Sequence, residues 1–122
     1  MWAATPERLH ALAAEALIAQ VALGESAPND VRLEVALEGD DPEDLFVHWL
    51  NTVLLRSEIE QVVWTRVTVQ KLEPRALEAV LEGQRLDRTR HERMREVKAV
   101  SFHDLTLDLE PGRCWCRVIL DI

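Results

Sequence analysis

At 122 residues the chain has the length of one domain, 1–122, with enough residues to bury a real core. Its 14 Lys+Arg stand against 22 Asp+Glu, and the resulting net charge of -8 argues against broad, nonspecific binding to RNA or anionic lipid. No apolar run approaches the roughly 20 residues of a membrane span, and Met1 is not followed by a basic and then apolar leader, so a cytoplasmic protein is expected.

Thr5-Pro6-Glu7 has the chemistry of a helix start: an N-cap hydroxyl, a proline at the first helical position and an acidic first turn. Leu9, Leu12, Ala13, Ala16, Leu17 and Val21 then recur at helical spacing, and Gly24 is the expected stop. In VRLEVALEG, Val31, Leu33, Val35 and Leu37 alternate with Arg32, Glu34, Ala36 and Glu38, the period of a strand with one wet face. Asp41-Pro42-Glu43-Asp44 repeats the helix-start pattern, and Leu45, Phe46, Trp49, Leu50, Val53 and Leu54 make the apolar stripe of a second helix.

VVWTRVTVQKL is rich in β-branched residues and reads as a strand from Val63 to about Leu72. EPRALEAVLEG is ambiguous. Its good helix formers between Pro74 and Gly83 favour a helix, whereas Leu77, Ala79 and Leu81 alternate with Glu78, Val80 and Glu82 as in a strand. From Val97 to Leu109 a strand changes phase, with Val100 and Phe102 on even positions and Leu105, Leu107 and Leu109 on odd ones. A bulge near His103-Asp104 accounts for the swap. Pro111-Gly112 supplies a type II turn, after which Cys114, Cys116, Val118, Leu120 and Ile122 alternate to the end. Two helices and several mainly antiparallel strands give an α+β fold, with the helices on one face of the sheet.

Cys114 and Cys116 share a strand face, an arrangement suited to apolar packing rather than to a disulfide with each other. Arg85, Arg88, Arg90, Arg93 and Arg95 form one basic island. It is a local candidate for RNA or nucleotide phosphate, although a solvated loop paired with the acidic surface is the more ordinary reading. Lys98 is one of two lysines beside twelve arginines, so a compact ammonium rather than a guanidinium has been placed in the segment EVKAV. Its ordinary role would be a partly exposed strand residue paired with a carboxylate. For His91 and His103 a hydrogen-bonded structural role is the usual one. Asp121 and the carboxylate of Ile122 are two hard oxygen groups that would hold Ca²⁺ or Mg²⁺ weakly by themselves. No P-loop, G-x-S-x-G or H-E-x-x-H motif is present.

Several stretches together resemble the archease family: TPERLHALAAEAL, DDPEDLFVHWLN, the spacing from Gly83 through Asp87 and His91 to the EVKA ending at Ala99, SFH from Ser101 to His103, and the terminal VILDI. The resemblance covers nearly the whole chain in order. It implies a small α+β accessory protein, not itself a catalyst. The partner it implies is the tRNA-splicing RNA ligase, which joins RNA ends with GTP and a divalent metal and whose guanylylation the accessory protein promotes. An alternative within the family is a chaperone-like role toward a nucleic-acid-modifying enzyme. The resemblance further implies that Asp121 and Ile122 are metal ligands, that Asp87, His91, Lys98 and His103 are recurring polar positions, and that the ambiguous segment before Gly83 is a strand. Lys98 would then face the ligase or its nucleotide.

The family pattern begins with a strand bearing an Asp-His-Thr-Ala-Asp-like motif, whereas this sequence opens on MWAATPERL, with Trp2-Ala3-Ala4 in the place of that strand's last residues. Thr52 stands where the family helix tends to carry a glutamate. Either the true start lies upstream of Met1 and supplies this strand, or the strand is lacking, and its loss would weaken the metal site. It would also leave a sheet edge free to pair with a second copy, so a structural or dimerising domain is a further expectation. An independent metal-dependent hydrolase using His91, His103 and Asp121 is the remaining one.

Overall fold

The computed structural model describes residues 1–24, 29–87, 91–93 and 97–121, with side chains for all of these except 23, 24, 91–93, 102, 103 and 121. Along the chain run β1 (Trp2–Ala3), α1 (Pro6–Val21), β2 (Ala22–Gly24), β3 (Val31–Glu38), α2 (Pro42–Glu60), β4 (Val62–Glu73), β5 (Ala76–Arg85), β6 (His91–Arg93), β7 (Ala99–Asp108) and β8 (Cys114–Asp121). This is the expected α+β architecture of two helices with antiparallel sheets. The strands divide into three hydrogen-bonded ladders, ordered β1-β8-β7, β2-β6 and β3-β5-β4.

Both helices start where local chemistry says they should. The Thr5 side chain accepts from the Arg8 N–H at 3.2 Å, and Asp41 Oδ1 accepts from Asp44 N–H at 2.8 Å, each satisfying a donor that the first turn leaves without a partner. Their ends differ from expectation. α1 stops at Val21 rather than Gly24, because Ala22 turns extended and the next residues pair with β6, Ala22 opposite Arg93 and Gly24 opposite His91. α2 runs past Leu54 to Glu60 and closes on Gln61 in the left-handed region, whose N–H donates to Ser57 O. The added turns expose Leu55 and Ile59 and so carry no core-facing stripe.

The ambiguous segment is β5, a strand flanked on both sides. Leu77 pairs with Leu37 and Leu72, Leu81 with Leu33 and Val67, and these two leucines are fully buried. Helix propensity of a few tenths of a kcal/mol per residue gives way to two complete ladders. Gly83 sits where β4 crowds in. A Cβ there would press on the Val63 carbonyl and lie 2.9 Å from Val62 Cγ1, so a larger residue must displace backbone.

β7 carries the irregularity that the phase change requires. Ser101 pairs with Ile119 and Thr106 with Arg117, so five steps on β7 match two on β8 and three residues loop out. An odd excess swaps the faces, and Asp104 takes a positive φ of 53° within the loop. The hairpin turn is as expected: Gly112 has φ 88° and Arg113 N–H donates to Glu110 O at 3.1 Å. β7 itself starts at Ala99, so Val97 and Lys98 lead into the strand rather than lying in it.

The core lies between the helices and the inner strand faces, centred on Trp49, Trp64, Phe46 and Leu9. Two polar contacts from α2 tie its layers together. Trp49 Nε1 donates to His10 O of α1 at 2.9 Å. Two residues on, the Asn51 amide grips Val100 of β7 from both sides: Oδ1 accepts the Val100 N–H at 2.7 Å, and Nδ2 donates to Val100 O at 3.0 Å. His10 is itself buried, donates through Nδ1 to Pro6 O at 2.8 Å, and stands edge-on to the Phe46 ring at 4.9 Å.

Replacing Asn51 with Ala leaves the Val100 N–H and C=O without their partner, and the expected loss is about 1–3 kcal/mol of unfolding free energy by urea denaturation. A midpoint unchanged from wild type would show the clamp to be energetically idle. Burial holds the His10 imidazole below its ordinary value of 6.5, outweighing the raising influence of the Pro6 carbonyl and Glu7. The unfolded chain therefore takes up a proton near pH 6.5 before the folded one does, so this contribution to stability is present above that pH and is lost as the pH falls toward the lower folded value. Thermal melts between about pH 7.5 and 5.5 should fall with pH more steeply for wild type than for His10→Leu, and parallel curves would refute the assignment.

Candidate functional site

Lys98 is the sequence-derived candidate that the structure displays best. Val97 before it is buried, Lys98 is exposed, and Ala99 after it enters β7 opposite Asp121 of β8. The chain thus anchors an apolar residue, presents the ammonium, and immediately becomes a paired strand. Asn51 fixes this geometry from below through Val100, two residues beyond the lysine. Asn51, Leu54, Leu55, Glu58, Val97 and Lys98 line a depression of about 390 Å³ between the second half of α2 and the start of β7. Among the described residues none pairs with the Lys98 ammonium. The carboxylate partner of the ordinary reading is therefore not found there.

The β7–β8 ladder brings two candidates to one end of the molecule. Asp121 lies opposite Ala99, so its backbone is adjacent to Lys98. The Asp121 side chain and Ile122 lie outside the described residues. His103 falls in the stretch of β7 that loops out between Ser101 and Thr106, and its side chain is likewise not described. His91 belongs to a different ladder, where β6 pairs with β2. Asp87 follows β5 and is half-buried. The six candidates therefore do not form one described cluster; Lys98 and Asp121 are the pair that the strand register unites.

Of the basic island, Arg85 is exposed at the end of β5 with its backbone N–H donating to Asp30 Oδ1 at 3.3 Å, and Arg93 lies in β6. Arg88, Arg90 and Arg95 lie outside the described residues. Cys114 and Cys116 are free, buried on the inner face of β8, and burial pushes both thiols up, which suits inert packing. Among the described residues no three His, Cys, Asp or Glu side chains are grouped to hold a metal ion. The described residues alone thus do not make a metal site. No helix of the described residues is long and apolar enough to cross a membrane.

Sequence reasoning passed over Asn51, which holds the site in place, and His10, which lies under the junction of the two helices. For Asn51 a signal existed: asparagine is a poor helix former, and one set in the interior of a helix beside an apolar stripe invites the question of what its amide bonds to. His10 lies one position beyond Leu9 in the first helix, and nothing in its spacing separates a buried histidine from an exposed one.

A sequence model described as the Archease protein family (MTH1598/TM1083) matches residues 1–122. A protein archease from Methanopyrus kandleri is 30% identical over 125 residues, covering 100% of this chain and 89% of the relative. One from Pyrococcus abyssi is 36% identical over 93 residues, covering 73% of this chain and 66% of the relative. Among solved structures, the solution structure of Methanobacterium thermoautotrophicum protein 1598 superimposes with a TM-score of 0.68 at 27% identity, covering 99% of this chain and 89% of that one. With a family match over residues 1–122, a relative aligned over the whole of this chain and the same fold in a solved structure, the chain belongs to the archease family.

Proposed function

We propose that this protein is an accessory factor that activates a GTP-dependent RNA ligase of tRNA splicing by promoting guanylylation of the ligase and its turnover. The observation that carries the reading is the family match over residues 1–122. Its local support is Lys98, an exposed ammonium with no ion pair among the described residues, set two residues before Val100, whose backbone N–H and C=O are both bonded to the Asn51 amide. An exposed cation without an ion pair among the described residues suits contact with a phosphate or carboxylate supplied by another molecule. Lys98 in this reading touches the ligase or its bound nucleotide, and Asp121 at the same end of the β7–β8 ladder takes part in the same contact. Asp87, His91 and His103 are secondary candidates, and RNA contact by the Arg85–Arg95 segment is local.

Asp121 and Ile122 are proposed as a divalent-cation contact that is weak in the isolated chain. Two carboxylates supply too few oxygens for Ca²⁺, which takes 6–8.

Guanylylation of the partner ligase, followed with labelled GTP and Mg²⁺, provides the test. Wild-type protein should accelerate the step, Lys98→Ala and Asp121→Ala should each abolish the acceleration, and melting temperatures should stay close to wild type. Full stimulation by both variants would overturn the reading. Calorimetric titration of the chain with Ca²⁺ should give a dissociation constant of about 10⁻⁴ M or weaker, and submicromolar binding would contradict the weak-site proposal.

A further inference from the structure

A second cavity shares no wall with the Lys98 depression. It holds about 320 Å³ and opens where both helices begin, beside the β4–β5 turn and the end of β7. That volume is at the lower end of ligand pockets and suits a compact molecule. β1, read from Ala3 back to Met1, runs along β8 from Cys114 to Cys116 and so away from the β7–β8 turn, and Met1 is not among the walls.

Among the described residues the apolar walls are Pro6, Pro42 and Pro74 with Leu45, Leu72 and Leu109. A proline shapes a wall without bringing an N–H to it. Pro6 and Pro42 stand at the helix starts, where backbone donors would otherwise face a ligand. The donors two residues further on are used within the chain, by the Thr5 hydroxyl for Arg8 N–H and by the Asp41 carboxylate for Asp44 N–H. Glu7 in the first turn of α1, and Glu43 and Asp44 in that of α2, answer the positive helix ends. An anion entering here meets no side-chain cation among the described walls.

The polar groups that remain are acceptors. His10 is 1% exposed and gives its Nδ1 proton to Pro6 O, so its Nε2 presents a lone pair, with no bond to it among the described residues. Burial keeps the ring neutral at pH 7, against the smaller raising influence of Glu7. Glu7 is exposed and has no ion pair among the described residues. Glu73 is met by Lys71 at 3.4 Å, with both side chains 56% exposed, a pair that water holds loosely. One buried lone pair and two carboxylates call for a ligand that donates hydrogen bonds and carries positive charge. The prolines and leucines call for an apolar body on the same ligand.

We propose that this pocket binds a small organic cation, a primary ammonium on a compact apolar ring, which donates to His10 Nε2 and is balanced by the carboxylates of Glu7 and Glu73. The site is separate from the Lys98 end of the molecule, and the proposal is independent of the ligase reading.

Phenethylamine is the probe, titrated to about 10 mM into the ¹⁵N-labelled 122-residue chain and followed by proton–nitrogen correlation spectra. Saturable shifts are expected at the amides of Glu7, His10, Leu45 and Leu109. Phenethyl alcohol, which keeps a donor but no charge, should bind about threefold or more weakly, and the anion hydrocinnamate should not bind. Glu7→Gln, an exposed change, should weaken phenethylamine about threefold or more, and His10→Leu about tenfold. Circular dichroism checks that each variant is folded, and should His10→Leu fail to fold, Glu7→Gln and the ligand series decide alone. Nα-acetyl-lysine methylamide stands for the side chain of a partner protein and, lacking a ring, should bind about tenfold more weakly. Tighter binding by that lysine derivative would overturn the assignment to a free amine. Absence of saturable shifts, hydrocinnamate binding as tightly as phenethylamine, or indifference to Glu7→Gln overturns the site itself.

Discussion

The Asn51 amide is a side chain acting as a strand neighbour. It offers Val100 one acceptor and one donor, as an adjacent backbone would, and so ends the β7 edge on a helix instead of on another strand. The position of Val100 determines the register of the β7–β8 ladder at that end, through Val100 opposite Leu120 and Ala99 opposite Asp121. Lys98 is two residues from the clamp and inherits its position. Trp49, two residues earlier on α2 and so on a different side of the helix, bonds to the main chain of α1. One turn of α2 therefore orders both the packing of the helices and the place where the candidate cation emerges.

How much of this is visible in the amino acids depends on whether the cause is local. Helix starts are local, since a capping side chain and a proline act within one turn, and Thr5-Pro6 and Asp41-Pro42 are read correctly without a structure. Helix ends here are not. Ala22 leaves the helix to pair with a segment some 70 residues later, a relation that no window around Gly24 contains. The strand β5 is the sharper case. Its alanines, leucines and glutamates are good helix formers, and its alternation alone leaves the question open; the family resemblance resolves it, and the physical reason is that both edges are paired. The glutamates then make sense on the outer face, where the register sets Glu82 between Arg32 and Arg66, and Glu78 beside Lys71.

The candidate site divides in the same way. Lys98 is found in the sequence because a lysine is rare in a chain that otherwise uses arginine. The looped-out residues of β7 are found because hydrophobic phase must be conserved on a buried face, although the excess is three residues where the simplest bulge has one. What sequence reasoning cannot supply is the identity of the residue that braces Lys98 from another element, because Asn51 and Val100 are 49 positions apart. The grouping of polar residues implied by resemblance is likewise thinned by register: Asp121 arrives beside Lys98, whereas His91 stands in the β2–β6 ladder.

The net charge of -8 bears on how such a factor would meet its partner. A strongly acidic chain gains nothing from long-range attraction to RNA or to a free nucleotide, so Lys98 cannot recruit either from solution against the whole-molecule field. An enzyme that binds RNA, however, must present a cationic surface to the phosphate backbone. An acidic accessory protein is steered toward that surface and away from the RNA itself, and complementary fields of this kind act mainly on the rate of encounter. On the proposed function Lys98 would then contribute only at short range, after docking, where a compact, exposed ammonium can discriminate a phosphate group that the acidic surroundings would otherwise repel. On the proposed function, the overall charge selects the partner and the single positioned cation selects the state in which the partner is met.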